Sequence, residues 1–155
     1  VVDAFGFIHS EKPKHLYVFA GPLSSDDAFE RLKMRAGRNV HIFRFTSDFL
    51  SYLSAADLSV SMAGYNTCMN IAAARVPALV WPFAQNREQR LRAIRLARLG
   101  VLRVLNDEEL TPRRLSAVIE QVLSQPCRSV PDIDLNGAEN TATWLTDNLT
   151  TREWG

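Results

Sequence analysis

From Lys14 onward, short apolar runs alternate with stretches of helical periodicity, and this alternation constrains the fold more than any other feature. Leu16-Tyr17-Val18-Phe19-Ala20 reads as a buried strand stopped by Gly21-Pro22. Ser24-Ser25-Asp26-Asp27 opens a helix carrying Phe29, Leu32 and Met34 up to Gly37. Val40 to Phe45 alternates as a strand does, and Thr46-Ser47-Asp48 supplies a cap for a short helix with Phe49, Leu50 and Leu53. Leu58 to Met62 is the next strand, and a helix follows from Asn66 or Thr67 to Arg75. Pro77 closes it, because proline disfavours helix in the residue before it. Ala78-Leu79-Val80-Trp81 forms a further strand, ended by Pro82.

Gln85 to Leu99 is helical with Gly100 as its stop, and Val101 to Leu105 is a strand. Thr111 and Pro112 then give an N-cap and a first-turn proline. Leu115, Val118, Ile119, Val122 and Leu123 follow at the spacing of one helix face. A last helix spans Asn136 to Leu149, with Trp144, Leu145 and Leu149 on its apolar side. Strands alternating with helices imply βαβ units, so the expected fold is α/β: a Rossmann-like parallel sheet with helices on both faces. The expected organisation is a lead-in or inter-domain segment over 1–13, one domain over 14–149 and a tail over 150–155.

Composition excludes several classes. At 155 residues, 46% hydrophobic and 23% charged, the chain has enough apolar surface for one real core. Eighteen Lys+Arg against 17 Asp+Glu leave a net charge of +1, which argues against nucleic acid as a partner. Cys68 and Cys127 have neither metal-ligand nor redox-pair spacing and read as reduced thiols. No apolar run is long enough to span a membrane and no signal peptide is visible, so the expected location is cytoplasmic.

Open parallel sheets bind ligands beyond the carboxyl ends of their strands. Three such ends carry suggestive residues: Gly21 to Ser24, Phe45-Thr46, and Ala63-Gly64-Tyr65-Asn66-Thr67. At the third, a strand delivers the chain to a glycine that lets a ligand approach the backbone. The helix behind it offers unpaired N–H groups and the positive end of its dipole, which suits a phosphate or diphosphate. The same residues also describe an ordinary turn with Asn66 as helix cap.

The stretch from Ala56 to Thr67, continuing through Ile71 to Phe83, resembles the nucleotide-sugar half of GT-B glycosyltransferases. It is similar to the carboxyl-terminal domain of the MurG-like group. Gly64-Tyr65-Asn66 and the later Glu88-Gln89 most resemble a bacterial set of predicted glycosyltransferases in that group. The likeness runs over about Leu16–Leu123, with strand, glycine turn, helix, Pro77 and Gln89 in the family's order.

The resemblance implies that a nucleoside diphosphate sugar, commonly a UDP sugar, sits on this half. The base would pack against Phe45-Thr46, the diphosphate on the start of the helix at Gly64 to Thr67, and the sugar against Phe83 to Gln89, with Glu88 and Gln89 on its hydroxyls. Acceptor and general base belong to the amino-terminal half of such enzymes, so no catalytic residue is expected here and the fragment is expected to be inactive alone. The implied chemistry is an inverting transfer without an obligatory metal.

Two residues depart from the family pattern. Asn70 stands where a carboxylate often holds the ribose hydroxyls, and Gly21-Pro22-Leu23-Ser24-Ser25 stands in place of a glycine cluster. Both leave open a degenerate domain that serves a partner by contact. A sugar-nucleotide epimerase half ranks below it, because the carboxylates and histidine it needs are not evident.

Arg87, Arg90, Arg92, Arg95 and Arg98 spread around one helix; Arg87 and Arg90 share a face near its start. They read as a solvated surface, with a phosphate, the amino-terminal half or a peripheral membrane contact as alternatives. Asp132-Ile133-Asp134 imitates a metal-binding acidic pair but lies outside the alternating sheet. His9, His15 and His41 have no ligand cluster, His41 reads as a packed or edge residue, and Trp81 reads as core.

Overall fold

The computed structural model describes residues 1–125 and 133–149. Its elements are α1 (Val2–Phe5), β1 (Leu16–Phe19), α2 (Asp26–Met34), β2 (Val40–Phe43), α3 (Phe49–Ala55) and β3 (Ser59–Met62). They continue as α4 (Tyr65–Ala74), β4 (Ala78–Trp81), α5 (Arg87–Arg98), β5 (Arg103–Val104), a 3-10 turn at Asp107–Leu110, α6 (Pro112–Leu123) and α7 (Gly137–Leu149). Every strand pairing is parallel, so the expected α/β architecture holds. The hydrogen-bonded ladder comes in two pieces, β1–β2 and β3–β4–β5.

Helices cover both faces. Ala78 and Val80 of β4 point into one cluster with Leu53 of α3, Cys68, Ile71 and Ala72 of α4, and Ala93 and Leu96 of α5. Leu79, between them, points the other way, into a cluster with Ala4 of α1 and Leu115, Val118 and Ile119 of α6. Successive strand residues face opposite sides, so a strand buried on both reads as a continuous apolar run. That is the Ala78-Leu79-Val80 sequence.

Local chemistry explains where expected boundaries moved. The Ser25 hydroxyl accepts from the Ala28 N–H and caps α2. Asp48 stands at the start of α3 without capping it; its carboxylate takes the Ser51 hydroxyl instead. The helix after β3 begins at Tyr65 with Gly64 as its cap, one to two residues earlier than expected, so Asn66 lies inside the first turn.

β5 keeps only two of five expected residues. Gly100 turns back with φ +76°, and the Val101 N–H is drawn to the Leu96 carbonyl at 3.0 Å. Val101 and Leu102 are consequently buried as plugs of the core rather than laid along the ladder. Thr111 and Pro112 open α6 as expected, though without a side-chain cap bond.

Residues ahead of β1 form packed structure: α1 lies on α6, with Ala4 wholly buried. At the other end α7 forms but buries nothing, so Trp144, Leu145 and Leu149 remain exposed rather than covered. Asp134 accepts from the Asn136 N–H at 2.8 Å and from the Asn140 amide at 2.6 Å, which commits it to the start of α7. Cys127, Asp132 and the segment 150–155 lie outside the described residues. Among those described, no group of acidic, His or Cys side chains could hold a metal ion, and no helix is long and apolar enough to cross a membrane.

Candidate functional site

β3 ends at Met62, and the chain passes through buried Ala63 into Gly64. Gly64 has φ −62° and ψ 150°, the extended geometry of an N-cap, but no side chain with which to cap. The Cys68 N–H reaches the Gly64 carbonyl at 3.0 Å, closing the first turn of α4. Ahead of it, the amides of Tyr65, Asn66 and Thr67 belong to the orphan set that every helix start leaves unpaired. Among the described residues, no cap side chain bonds to them.

A Cβ built on Gly64 would meet only Thr67 Oγ1, at 3.7 Å, an ordinary contact. The backbone here does not require glycine; its absent side chain leaves the amides open. Tyr65 and Asn66 are exposed, and Thr67 and Asn70 half-buried. Thr67 and Asn70 are three residues apart and share a helix face.

Behind this turn stands a residue that sequence reasoning passed over. Arg92, on α5, donates from Nη1 to the Ala63 carbonyl at 3.1 Å and lies over the Tyr65 ring, 5.2 Å from its centroid. Of the five arginines of α5 it alone is half-buried; Arg87, Arg90, Arg95 and Arg98 are exposed. Its guanidinium adds a full positive charge to the partial one at the helix start. Burial pushes the Cys68 thiol up in pKa, with Arg92 pulling in the opposite direction. The available signal was spacing: Arg92 lies three residues after Gln89, on the same face of α5.

Gln89 is held as well. Its Oε1 accepts the Phe83 N–H at 3.1 Å, while its own N–H donates to the Asn86 cap at 3.0 Å. The Phe83–Gln89 loop is thereby closed on itself with the Gln89 amide nitrogen left as a donor, and Glu88 lies exposed on the first turn of α5. Arg92 and Gln89 therefore unite the segments around Ala63–Asn70 and Phe83–Gln89.

The other two strand ends form a second group. Gly21 takes φ +89°, which only glycine adopts cheaply, and nothing lies within 4 Å of where its Cβ would be. The Ser24 hydroxyl donates to the Ala20 carbonyl and its N–H to Gly21 at 3.2 Å, so Ser24 is spent on the turn. Arg44 donates to the Ser24 carbonyl and to Asp26, both at 2.7 Å, and lies over the Phe29 ring. It thus ties this turn to Phe45, which is 68% exposed, and to Thr46, whose hydroxyl accepts the Asp48 N–H at 3.1 Å. His41 packs as expected, between His15 and Tyr17. Trp81 is partly buried rather than enclosed, its indole N–H donating to Asp107 at 2.9 Å.

Comparison with known proteins places this geometry in context. The family model for the glycosyltransferase family 28 C-terminal domain matches residues 8–144. A UDP-N-acetylglucosamine--N-acetylmuramyl-(pentapeptide) pyrophosphoryl-undecaprenol N-acetylglucosamine transferase of Acidiphilium cryptum is 37% identical over 93 residues, 60% of this chain and 25% of its own length. The enzyme of the same name from Shouchella clausii is 28% identical over 116 residues, 72% of this chain and 33% of that protein. Among solved structures, MurG of Acinetobacter baumannii superposes with a TM-score of 0.64 at 23% identity, over 79% of this chain and 36% of its own. The chain therefore spans about a quarter to a third of these relatives.

Proposed function

The chain belongs to the family of glycosyltransferase family 28 C-terminal domains, and from that premise we propose that it is the donor-binding half of a MurG-like GT-B glycosyltransferase. Its ligand is a nucleoside diphosphate sugar, with UDP as the favoured nucleotide. The acceptor and the general base come from an amino-terminal half, without which this part does not complete transfer.

The observation that supports this reading best is the start of α4: Gly64 without a side-chain cap, the first-turn amides that a helix leaves without intrahelical partners, and the Arg92 guanidinium bonded to the Ala63 carbonyl just ahead of them. Transfer breaks the bond between the anomeric carbon and the diphosphate, leaving negative charge on the departing group. Preorganised N–H donors and a fixed cation stabilise that charge without reorganising during the reaction. The Tyr65, Asn66 and Thr67 amides and Arg92 take this role, and the reading requires no obligatory metal ion. The Gln89 amide nitrogen and Glu88 reach sugar hydroxyls, Thr67 and Asn70 the ribose side, and Phe45-Thr46 the base. Asn70 binds ribose as a neutral amide, with bonds roughly half the strength of those a carboxylate makes.

A second reading keeps one observation of its own. The Gly21–Ser25 turn offers little to a phosphate, since Pro22 has no N–H and Ser24 is already bonded. A domain that has lost transfer and acts by contact is consistent with that turn.

Titration of the isotopically labelled chain with UDP, followed by amide chemical shifts, tests the main proposal. Shifts centred on Tyr65, Asn66, Thr67 and Gln89, and a clear preference for UDP over inorganic phosphate, are expected. Equal response to both ligands, or shifts elsewhere, overturns it. Gly64→Asp sharpens the result, because its carboxylate would cap the amides from within. Fold stability should rise by a few tenths of a kcal/mol, while UDP affinity drops at least tenfold.

A further inference from the structure

The side of α5 that meets the start of α4 is rich in hydrogen-bond donors and poor in acceptors. Gln89 Oε1 is taken by the Phe83 N–H at 3.1 Å, so that side chain keeps only its amide nitrogen for a ligand. Arg92, one turn further along the same face, carries five N–H groups and no acceptor at all. One of them, on Nη1, goes to the Ala63 carbonyl at 3.1 Å, and the guanidinium stands over the Tyr65 ring, 5.2 Å from its centroid. The edge formed by Nε and Nη2 carries no bond among the described residues.

The charge on Arg92 is not neutralised either. Glu88 lies four residues before it, the spacing at which carboxylates and guanidiniums pair along a helix. Among the described residues Arg92 nevertheless makes no ion pair and reaches across to Ala63 and Tyr65 instead. Glu88 stays exposed in the first turn of α5, where the helix dipole favours a carboxylate. Arg87, Arg90, Arg95 and Arg98 are exposed as well, so Arg92 is the half-buried cation of this helix.

A hydroxyl donates as well as accepts, and on this side of α5 only Glu88 has an oxygen left to receive its proton. A carboxylate accepts at both oxygens, donates nothing, and matches the edge of a guanidinium with two parallel bonds. We propose that Arg92 selects a donor whose sugar itself carries a carboxylate: a hexuronic acid linked to the nucleoside diphosphate. This rests on the donor-binding reading and narrows it from nucleotide sugars in general to an acidic class. Position separates the two anionic parts of such a ligand. The diphosphate lies on the first-turn amides of α4, whereas Arg92 belongs to the helix that carries Gln89, on the sugar side. From there the guanidinium serves the diphosphate through its field and the carboxylate through a paired bond. Ala63 and Tyr65 fix its orientation beforehand, so little side-chain ordering is left to oppose binding.

Calorimetric titration of the 155-residue chain with UDP, UDP-glucose and UDP-glucuronate tests the proposal. The two sugars differ only in a carboxylate against a neutral hydroxymethyl group. UDP-glucuronate should bind about tenfold more tightly or better, the ratio expected for one bond to a charged group. Arg92→Met should bring that ratio to about one, on top of the general loss in UDP affinity. Arg92→Lys keeps the charge without the fork and should retain only part of the preference. Arg90→Met, on the exposed side of the same helix, should leave the preference intact. Equal affinities for the two sugars, in a chain that still prefers UDP to inorganic phosphate, overturn the inference and leave the donor-binding reading standing. A preference that survives Arg92→Met, or vanishes in Arg90→Met, overturns it as well. Failure to bind UDP at all overturns both.

Discussion

The two ladders solve the same problem with different side chains. β3–β4–β5 is built around Ala78, Leu79 and Val80, all nearly or wholly buried, with Ile71 and Val101 filling the layers beside them. β1–β2 instead shows a stacked face of His15, His41, Tyr17, Phe43 and Phe19, under Phe49 and Tyr52 of α3. Tyr17 remains 46% exposed and Phe43 36%. His15 Nδ1 and His41 Nε2 lie 3.2 Å apart, one donating and the other accepting.

The contrast follows from coverage. Aliphatic side chains gain only by leaving water, so they suit a strand enclosed on both faces. Aromatic and imidazole rings gain from stacking as well and tolerate a wet edge, so they suit a strand pair covered incompletely. Two strands alone are marginal, and this pair depends on α2 and α3 for its stability.

The sharpest way to break the comparison is to remove one residue from each ladder. Leu79→Ala should cost roughly 2–5 kcal/mol, the range for a buried leucine. Tyr17→Ala should cost about 1–2 kcal/mol, because half of that side chain never left water. Urea denaturation of both variants measures the difference, and equal losses would show that the aromatic face is as enclosed as the aliphatic one.

Next come the two arginines that tie the strand ends. Arg92→Met strips the Ala63 carbonyl of its donor and should cost about 1–3 kcal/mol of stability, together with about tenfold in UDP affinity. Arg44→Met leaves exposed Asp26 and the Ser24 carbonyl to water and should cost about 1 kcal/mol or less. Its effect on UDP should stay within about threefold. Calorimetry alongside denaturation separates the two, and a larger loss of UDP affinity in the Arg44 variant would reverse the assignment of the phosphate end.

The smallest effect concerns the segment joining the regions. The His9 N–H donates to Glu120 of α6, and this bond above all holds the Glu120 carboxyl below its ordinary value of 4.5. A depressed carboxylate adds stability above that value and loses it as pH falls through the lower folded one. Acid below about pH 4.5 should therefore free His9 from α6 before it unfolds either ladder. Amide exchange at His9 reads this directly, and Glu120→Ala, which removes the acceptor oxygen, should show the freed state already at neutral pH.

Much of this architecture was legible in the residues. Ala78–Trp81 is a strand at its expected bounds because prolines stand on both sides of a continuous apolar run. The α6 face was legible for the same reason, five apolar residues at one spacing with Thr111-Pro112 ahead of them. The start of α4 was misplaced because Asn66 is a better cap than glycine by propensity, while the chain uses Gly64. Arg92 was hidden among five arginines: its spacing from Gln89 was the local cue, but what lies across from it, the Ala63 carbonyl and the Tyr65 ring, is set by packing between distant segments. The broken ladder was equally hidden, since strand order is set by packing between distant segments. The aromatic character of β1 and β2 was written plainly as Tyr17, Phe19, His41 and Phe43, but whether such a face is covered depends on helices elsewhere.

Trp81 has a practical consequence. Its indole stands at the end of β4, hydrogen-bonded to Asp107 and packed against the α6 side of the sheet, whereas the Trp144 ring on α7 is 62% exposed. Excited at the red edge, the first should emit blue of the second and shift on unfolding, giving the domain an optical gauge of its own interior. The difference between the native protein and Trp81→Phe isolates that emission, so opening of the β4 end can be followed in real time without attaching a dye.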